Sequence, residues 1–167
     1  MQTTSTTATT QASAPATTWM IDGAHTTATF SVRHMMIANV RGELQRVSGT
    51  VTFDPSKLES TSVTAELDVG SISTRDAQRD AHLRSADFFD AERYPVITFA
   101  SKSLRRADKG LVLLGDLTIR GTTREVALEI EGPSPEHKDP WGNVRVGVSA
   151  SHATFSKPTT RCRTKVC

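Results

Sequence analysis

The stretch RDAQRDAHLRSADFFDAERYPVITF, residues 75–99, connects two strand-like segments of this 167-residue chain. It combines many Asp and Arg residues with the adjacent aromatic residues Phe88 and Phe89. Its charges are too dense for a core segment, whereas two neighbouring phenyl rings are too apolar for an idle surface loop. We therefore expect this segment to fold over the apolar interior of the domain.

The first part of this stretch is the best helical candidate in the chain. Residues 76–85 follow Ser73 and Thr74, which can act as N-caps. Further on, Tyr94-Pro95 favours an extended backbone, because the residue before a proline is biased away from helical geometry. The stretch therefore predicts one short helix followed by entry into a strand.

Outside this bridge the apolar residues recur with a period of two. Side chains alternate between the two faces of a strand, so each such segment has one buried and one solvated face. About seven strands at roughly ten-residue spacing indicate an all-β, antiparallel barrel or sandwich around one interior. The predicted inward rows are Phe30, Val32 and His34; Val47, Gly49, Val51 and Phe53; Val63, Ala65, Leu67 and Val69; Ile97 and Phe99; Leu111, Leu113, Gly115, Leu117 and Ile119; Val126, Leu128 and Ile130; and Val144, Val146, Val148 and Ala150.

Turn residues separate these rows. Residues 107–110 (ADKG) predict a hairpin loop, and Arg120-Gly121-Thr122 predicts a tight turn. The proline-rich residues 132–142 predict a longer loop, because proline cannot donate to a strand ladder.

Composition excludes several classes of protein. The 20 Lys and Arg residues against 18 Asp and Glu residues form no long basic run, which argues against nucleic-acid binding. There is no apolar run of about 20 residues, so no transmembrane segment is expected. Residues 1–17 are rich in Thr, Ser and Ala and lack the pattern of a secretory signal, which predicts a disordered tail and a cytoplasmic protein.

The sequence also lacks the common catalytic and metal-binding motifs. Its five histidines form no H-x-H or H-E-x-x-H pattern, and there is no G-x-S-x-G elbow or glycine-rich phosphate loop. We therefore expect no metal, no cofactor and no catalytic residues. The two cysteines, Cys162 and Cys167, are interpreted as free thiols.

The four aspartates of the bridge allow two interpretations. They could serve as paired catalytic acids, or they could cap the helix and pair with the arginines around them. We favour capping and ion pairing. The acids are Asp76, Asp80, Asp87 and Asp90, and the arginines are Arg75, Arg79, Arg84 and Arg93.

The sequence does not decide whether the interior of the barrel is a filled core or a cavity. A barrel of about eight strands is just wide enough to be filled by side chains or to hold one small ligand. The small inward residues Gly49, Ala65 and Gly115 predict unfilled volume, whereas packing of neighbouring side chains would remove it.

A series of motifs in the chain resembles the YceI-like family of lipid-binding proteins. The resemblance implies a lipocalin-like barrel that holds a polyisoprenoid, an isoprenoid quinone or a fatty-acid-like chain, without catalysis. The matching blocks are W-x-I-D-x-x-H from Trp19, F-S-V-R-H-M from Phe30, V-R-G from Val40, G-x-V-x-F-D from Gly49, S-I-x-T from Ser71, R-D-x-H-L-R-S-x-D-F-F-D from Arg79, Y-P-x-I-T-F from Tyr94, L-x-G-D-L-T-I-R-G from Leu113 and D-P-W-G from Asp139.

This resemblance also implies candidate ligand-binding residues. The cavity-wall candidates are Phe30, Val32, Val51, Phe53, Leu67, Val69, Phe99, Leu117 and Ile119. By the same analogy Phe88 and Phe89 lie near the mouth or flank of the barrel, and His34, Arg41 and Arg84 are headgroup candidates.

The chain departs from the family pattern after Ala150. Residues 154–167 are basic, rich in Thr and without a strand period, so a barrel domain over residues 18–153 is expected to lack its closing strand. The exposed edge that would result is an aggregation hazard, and pairing with a second copy in a homodimer would cover it.

Two alternatives to lipid carriage or sequestration follow. One is a lipid-directed hydrolase or isomerase that uses His82 and Asp87 near the helix. The other is an interaction module whose open edge recruits a partner strand.

Overall fold

The computed structural model describes residues 16–34, 38–108, 110–153 and 161–166 of the chain. Within these ranges the chain forms thirteen strands and one α-helix, α1 (Ala77–Arg84), with two 3₁₀ turns at Leu58–Ser60 and Val69–Ser71. Apart from residues 16 and 17, the predicted N-terminal tail lies outside the described residues. The strands are β1 (Thr17–Met20), β2 (Thr27–His34), β3 (Ala38–Leu44), β4 (Val47–Phe53), β5 (Ser62–Asp68), β6 (Ile72–Ser73), β7 (Val96–Ala107), β8 (Gly110–Ile119), β9 (Thr122–Glu131), β10 (His137–Lys138), β11 (Val144–Arg145), β12 (Val148–Ala153) and β13 (Arg161–Val166).

Eleven of these strands form one antiparallel sheet that curls strongly into a half-barrel. Their order is β1-β4-β5-β7-β8-β9-β12-β13-β2-β3-β6, so β1 and β6 are its edges. Strands β10 and β11 form a separate small hairpin, of which β10 lies within the predicted loop at residues 132–142 and β11 lies just after it. The predicted all-β antiparallel fold with one short helix is confirmed.

The expectation that the closing strand is missing is wrong. Strand β13 pairs with β12 through Ala150↔Thr164 and with β2 through Ala28↔Thr164. Residues 161–166 read R-C-R-T-K-V, so every second position is basic, and this short alternation is a strand period. The strand therefore covers the edges of β12 and β2 that would otherwise be unpaired.

The interior is packed in two buried groups. One joins β2, β3, β4 and the turn after β5, and it includes Leu44, Val47 and Val69. The other lies between β7 and β8 and consists of Phe99, Leu104 and Leu113. Leu117 contacts both groups. Val69, predicted to continue β5, instead lies in the 3₁₀ turn after Asp68 and is almost fully buried.

Helix α1 begins one residue later than predicted and has a different cap. The Asp76 carboxylate accepts a hydrogen bond from the Arg79 N–H, so Asp76 is the N-cap instead of Ser73 or Thr74. The buried Asp80 carboxylate accepts from the Thr74 N–H at 2.8 Å and from the Thr74 hydroxyl at 2.6 Å. These contacts support the interpretation of Asp76 and Asp80 as structural acids.

The connection after α1 is fixed to the sheet by one arginine. Arg120 and Gly121 form the predicted tight turn between β8 and β9, both with positive φ. The Arg120 guanidinium donates to the carbonyls of Phe88, at 3.0 Å, and Ala86, at 2.7 Å. The segment that carries Phe88 is thereby held against the β8–β9 turn.

Two glycines do not leave the volume predicted for them. A Cβ at Gly115 would lie 2.5 Å from Phe99 Cζ, because the phenyl ring occupies the space over this glycine. A Cβ at Gly49 would lie 2.0 Å from the Thr64 carbonyl oxygen. Neighbouring atoms therefore fill the space beside both glycines, so these glycines do not create the open volume inside the sheet.

Candidate functional site

The inner face of the curled sheet encloses a cavity of about 1450 Å³. This volume exceeds the range of about 300–1,000 Å³ that is usual for small-molecule pockets. The cavity lies between apolar rows of side chains on most strands of the large sheet. The principal rows are Ala28, Phe30 and Val32; Val51 and Phe53; Val63, Ala65 and Leu67; Ile97 and Phe99; Leu111, Leu113, Leu117 and Ile119; Val126, Leu128 and Ile130; and Val148 and Ala150.

The structure places most of the candidate ligand-binding residues together. Ten of them line the cavity, namely Phe30, Val32, Val51, Phe53, Leu67, Phe88, Phe89, Phe99, Leu117 and Ile119. For the eight of these residues that lie on strands, the period-two pattern accounts for the grouping, because residues of one strand face share one environment. The binding role of these residues stays a prediction.

Three of the other four candidates are not brought to the cavity wall. Val69 belongs to the buried core below it. The Arg84 guanidinium donates to the Gly70 carbonyl at 3.2 Å. Arg41 is exposed and lies opposite Ser31, in the outward-facing row of β2 and β3. The side chain of His34 lies outside the described part of the structure.

Sequence reasoning missed several wall residues for identifiable reasons. Leu104 is buried and lines the cavity because a bulge between Ser101 and Ser103 shifts the inward row of β7 by one residue. The Lys102 ammonium at this bulge pairs with Asp116 at 2.6 Å on the outer face. Trp19 also lines the cavity from the edge strand β1, where only four residues are too few to show a period.

A few polar side chains reach the cavity near α1. His82 and Arg79 both line it. The His82 ring lies edge-on to Phe88 with 4.8 Å between centroids, and its Nε2 is 3.4 Å from the exposed Asp87 carboxylate. Arg79 donates to the hydroxyl and carbonyl oxygens of Thr74. These contacts order the helix and its aromatic neighbour beside the apolar interior.

A second polar group lies where β1 leads into β2. The Arg145 guanidinium bridges the carboxylates of Asp22 and Asp139. Hydrogen bonds from His25, Arg145 and the Ala24 N–H lower the pKa of Asp22 from 3.8 to about 2. Bonds from Asn143, and also from Arg145, lower the pKa of Asp139 to about 2. The same contacts raise the pKa of Arg145. Both carboxylates are therefore ionised at neutral pH and are compensated by the guanidinium.

The chemistry available in this arrangement is binding of an apolar chain. The wall is mostly aliphatic and aromatic, and its charged residues are Asp22, Arg79, Glu136 and Arg145. In the part of the chain that the structure describes, no group of three or more His, Cys, Asp or Glu residues is placed to hold a metal ion. Among the same residues, no helix is long and apolar enough to cross a membrane.

Comparison with known sequences gives one family. The model of the YceI-like domain matches residues 19–162. The chain is 36% identical over 140 residues to the protein YceI of Escherichia coli O157:H7, an alignment covering 83% of this chain and 73% of the relative. A UPF0312 protein of Vibrio cholerae is also 36% identical, over 143 residues, covering 83% of this chain and 74% of the relative.

Comparison with solved structures gives the same fold. The YCEI protein of Campylobacter jejuni superposes with a TM-score of 0.61 at 30% identity, covering 72% of this chain and 70% of that one. A polyisoprenoid binding domain from Saccharophagus degradans superposes with a TM-score of 0.56 at 12% identity, covering 88% of this chain and 94% of that one. At 12% identity, the similarity to the Saccharophagus degradans domain shows a shared fold and nothing more.

Proposed function

Because this chain belongs to the YceI-like domain family, we propose that it binds a long-chain amphiphile inside the curled sheet, without catalysis. The ligand class is a polyisoprenoid, an isoprenoid quinone or a fatty-acid-like chain. The protein would carry or sequester this ligand in the cytoplasm.

The observation that carries this proposal is the cavity of about 1450 Å³ with its apolar wall. Water in such a space makes few hydrogen bonds with aliphatic side chains, so its replacement by an alkyl or prenyl chain is favourable. Each buried Å² of apolar surface contributes about 25 cal/mol before the cost of ordering the chain. A long flexible chain can fill an apolar space of this size, which a compact polar metabolite would leave largely empty.

The name of one relative in fold agrees with this class of ligand. The Saccharophagus degradans domain is described as polyisoprenoid binding. We extend that ligand class to the present chain on the strength of its own cavity wall, because sequence identity to that domain is only 12%.

The non-catalytic part of the proposal rests on the polar groups beside the cavity. His82 and Asp87, the residues on which a hydrolase or isomerase would depend, have side chains 60% and 77% exposed. Groups so accessible to water are poorly placed to act on a chain held in an apolar interior. Asp76 and Asp80 are engaged by the helix terminus and by Thr74.

The direct experiment is lipid extraction of the purified full-length chain followed by mass spectrometry. We expect a long-chain amphiphile at close to one molecule per chain. After delipidation, the protein should take up cis-parinaric acid, a fluorescent long-chain fatty acid, with saturable enhancement of its emission. A folded protein that neither contains nor takes up an amphiphile would exclude the proposal.

A further inference from the structure

Two sequence motifs far apart in the chain meet at one arginine. Asp22 of the W-x-I-D-x-x-H motif and Asp139 of the D-P-W-G motif both accept from the Arg145 guanidinium. Asp22 and Arg145 also line the cavity, so this ion group is part of its margin. The binding of an apolar chain accounts for the apolar residues of the cavity wall. It does not account for an ion group of two carboxylates and one guanidinium beside that wall.

The Asp139 carboxylate orders a tight turn around Trp141. It accepts from the N–H groups of Trp141, at 3.0 Å, and Asn143, at 2.9 Å, and from the Asn143 side-chain amide at 3.0 Å. The Asp139 carbonyl also accepts from the Gly142 N–H at 3.0 Å. The backbone of the turn is therefore fixed, and Trp141 lies within it.

Exposed apolar side chains flank the members of this ion group in the chain, with Met20 two residues before Asp22 and Trp141 two residues after Asp139. Met20 and Trp141 are each 82% exposed, more than any other large apolar side chain in the described residues. Val144, next to Arg145, is 40% exposed. Exposed apolar side chains that are grouped together commonly mark an interaction surface. We call Met20, Trp141 and Val144 the apolar rim.

The apolar rim is continuous with the cavity. Met20 and Val144 line the cavity while remaining exposed, so the apolar wall reaches the outer surface between them. The ion group beside them in the chain is compensated, because Arg145 pairs with both carboxylates. An alkyl chain that passes beside this ion group would therefore meet no uncompensated charge at Asp22, Asp139 or Arg145.

We propose that the apolar rim docks on the surface of a lipid bilayer, where the cavity exchanges its amphiphile with the membrane. This inference rests on the proposed function, because a bilayer is where long-chain amphiphiles reside. Indole side chains favour the membrane–water interface, since an apolar ring can be buried while its N–H stays hydrated. A bilayer accepts several separate apolar side chains at once, as this rim presents them.

The test compares three proteins in flotation with phosphatidylcholine vesicles. We expect the delipidated full-length chain to float, and Trp141→Ser to lose binding by about tenfold or more because an inserted aromatic side chain contributes that much. Val96→Ser is the matched control. Val96 is also exposed, at 39%, but it lies outside the cavity wall. Docking by apolar insertion should persist in about 0.5 M salt, which screens surface charges.

A second measurement separates docking from ligand binding. Trp141 does not line the cavity, so Trp141→Ser should take up cis-parinaric acid added from ethanol as the unchanged protein does. Its uptake of the same fatty acid from vesicles should be slower, and Trp141→Phe should restore most of the rate.

The outcomes distinguish the two proposals. Uptake from ethanol without flotation would overturn docking and leave the proposed function standing. Failure of uptake from ethanol in folded protein would overturn the proposed function. Equal flotation of Trp141→Ser and the unchanged protein would overturn the rim assignment. A concentration-dependent dimer that Trp141→Ser abolishes, without flotation of the unchanged protein, would assign the rim to a second copy of the chain and overturn docking.

Discussion

The ring of Phe99 on β7 lies directly over Gly115 on β8, two positions from the cross-strand partner Leu117 of Phe99. A Cβ at Gly115 would meet Phe99 Cζ at 2.5 Å and the Ala100 carbonyl oxygen at 2.6 Å. The Phe99 ring therefore takes the space that a side chain at Gly115 would need, and Phe99 also lines the cavity.

Gly115→Ala should therefore destabilise the protein, although alanine ordinarily restricts the unfolded chain and stabilises. Overpacking of this kind costs about 1–3 kcal/mol. Thermal unfolding followed by circular dichroism measures the loss. In the double variant Gly115→Ala/Phe99→Leu the smaller side chain relieves the part of the clash that involves the ring, although the Ala100 carbonyl stays in place, so its destabilisation should be less than the sum of the two single values. Strict additivity would contradict the contact.

Two threonines are equally buried, but we expect their replacement by valine to change the stability of the protein in different ways. The Thr61 and Thr74 residues are each 6% exposed, but in the structure the Thr61 hydroxyl has no hydrogen-bond partner. The Thr74 hydroxyl donates to Asp80 at 2.6 Å and accepts from Arg79 at 2.7 Å. Thr61→Val should be neutral or stabilising by about 1 kcal/mol, whereas Thr74→Val should cost about 1–3 kcal/mol. Chemical denaturation of both variants checks the pair, and equal destabilisation would contradict it.

The fold was predictable from the sequence because the strand faces obey a period of two over many residues. Leu111 to Ile119 is the clearest case, since its inward row is unbroken in the sequence and in the structure. Prediction failed where one residue shifts that period, as at the Lys102 bulge that brings Leu104 inward. It failed also for β13, where only six residues carry the alternation.

The cavity could be suspected but not located from the sequence. Gly115 predicted empty space, yet the ring of a neighbouring strand fills it, because volume depends on how side chains cross between strands. The sequence around Arg145 did not indicate its ion pairs with Asp22 and Asp139. Asp22 is far away in the chain, and Asp139 is brought to Arg145 only by the fold of the intervening turn. Contacts set by tertiary structure have no local pattern to read.

Acid should weaken the link between the β1–β2 turn and the D-P-W-G turn. The pKa values of Asp22 and Asp139 are lowered from 3.8 to about 2. A lowered folded-state pKa contributes stability that is fully present above the unfolded value and is lost as the pH falls through the folded value. The melting temperature should therefore fall between about pH 4 and pH 2. The double variant Asp22→Asn/Asp139→Asn should melt lower at neutral pH and lose less over this interval; an unchanged acid dependence would contradict the assignment.

Strand β13 should be needed for stability because it is paired on both sides. Thr164 lies between Ala150 on β12 and Ala28 on β2. Thr164→Pro removes a backbone donor inside the sheet and should cost about 3 kcal/mol or more, with association of the exposed edges. Thr18→Pro on the edge strand β1 is the matched control and should cost less, since prolines are tolerated at edges. Light scattering and thermal unfolding measure both effects, and equal behaviour of the two variants would count against a central β13.

Filling the cavity should abolish ligand uptake only when the added side chain points inward. Ala150 on β12 lines the cavity, whereas Ala127 on β9 is exposed and lies outside its wall. Ala150→Phe adds an aromatic ring to the space that an alkyl chain would occupy, so the affinity for cis-parinaric acid should fall by about tenfold or more. Ala127→Phe makes the same chemical change on the outer face and should bind as the unchanged protein does. Fluorescence titration gives both affinities, and circular dichroism establishes that both variants fold. Equal loss in the two variants would indicate a general effect on the sheet, and equal retention would place the ligand elsewhere than in this cavity.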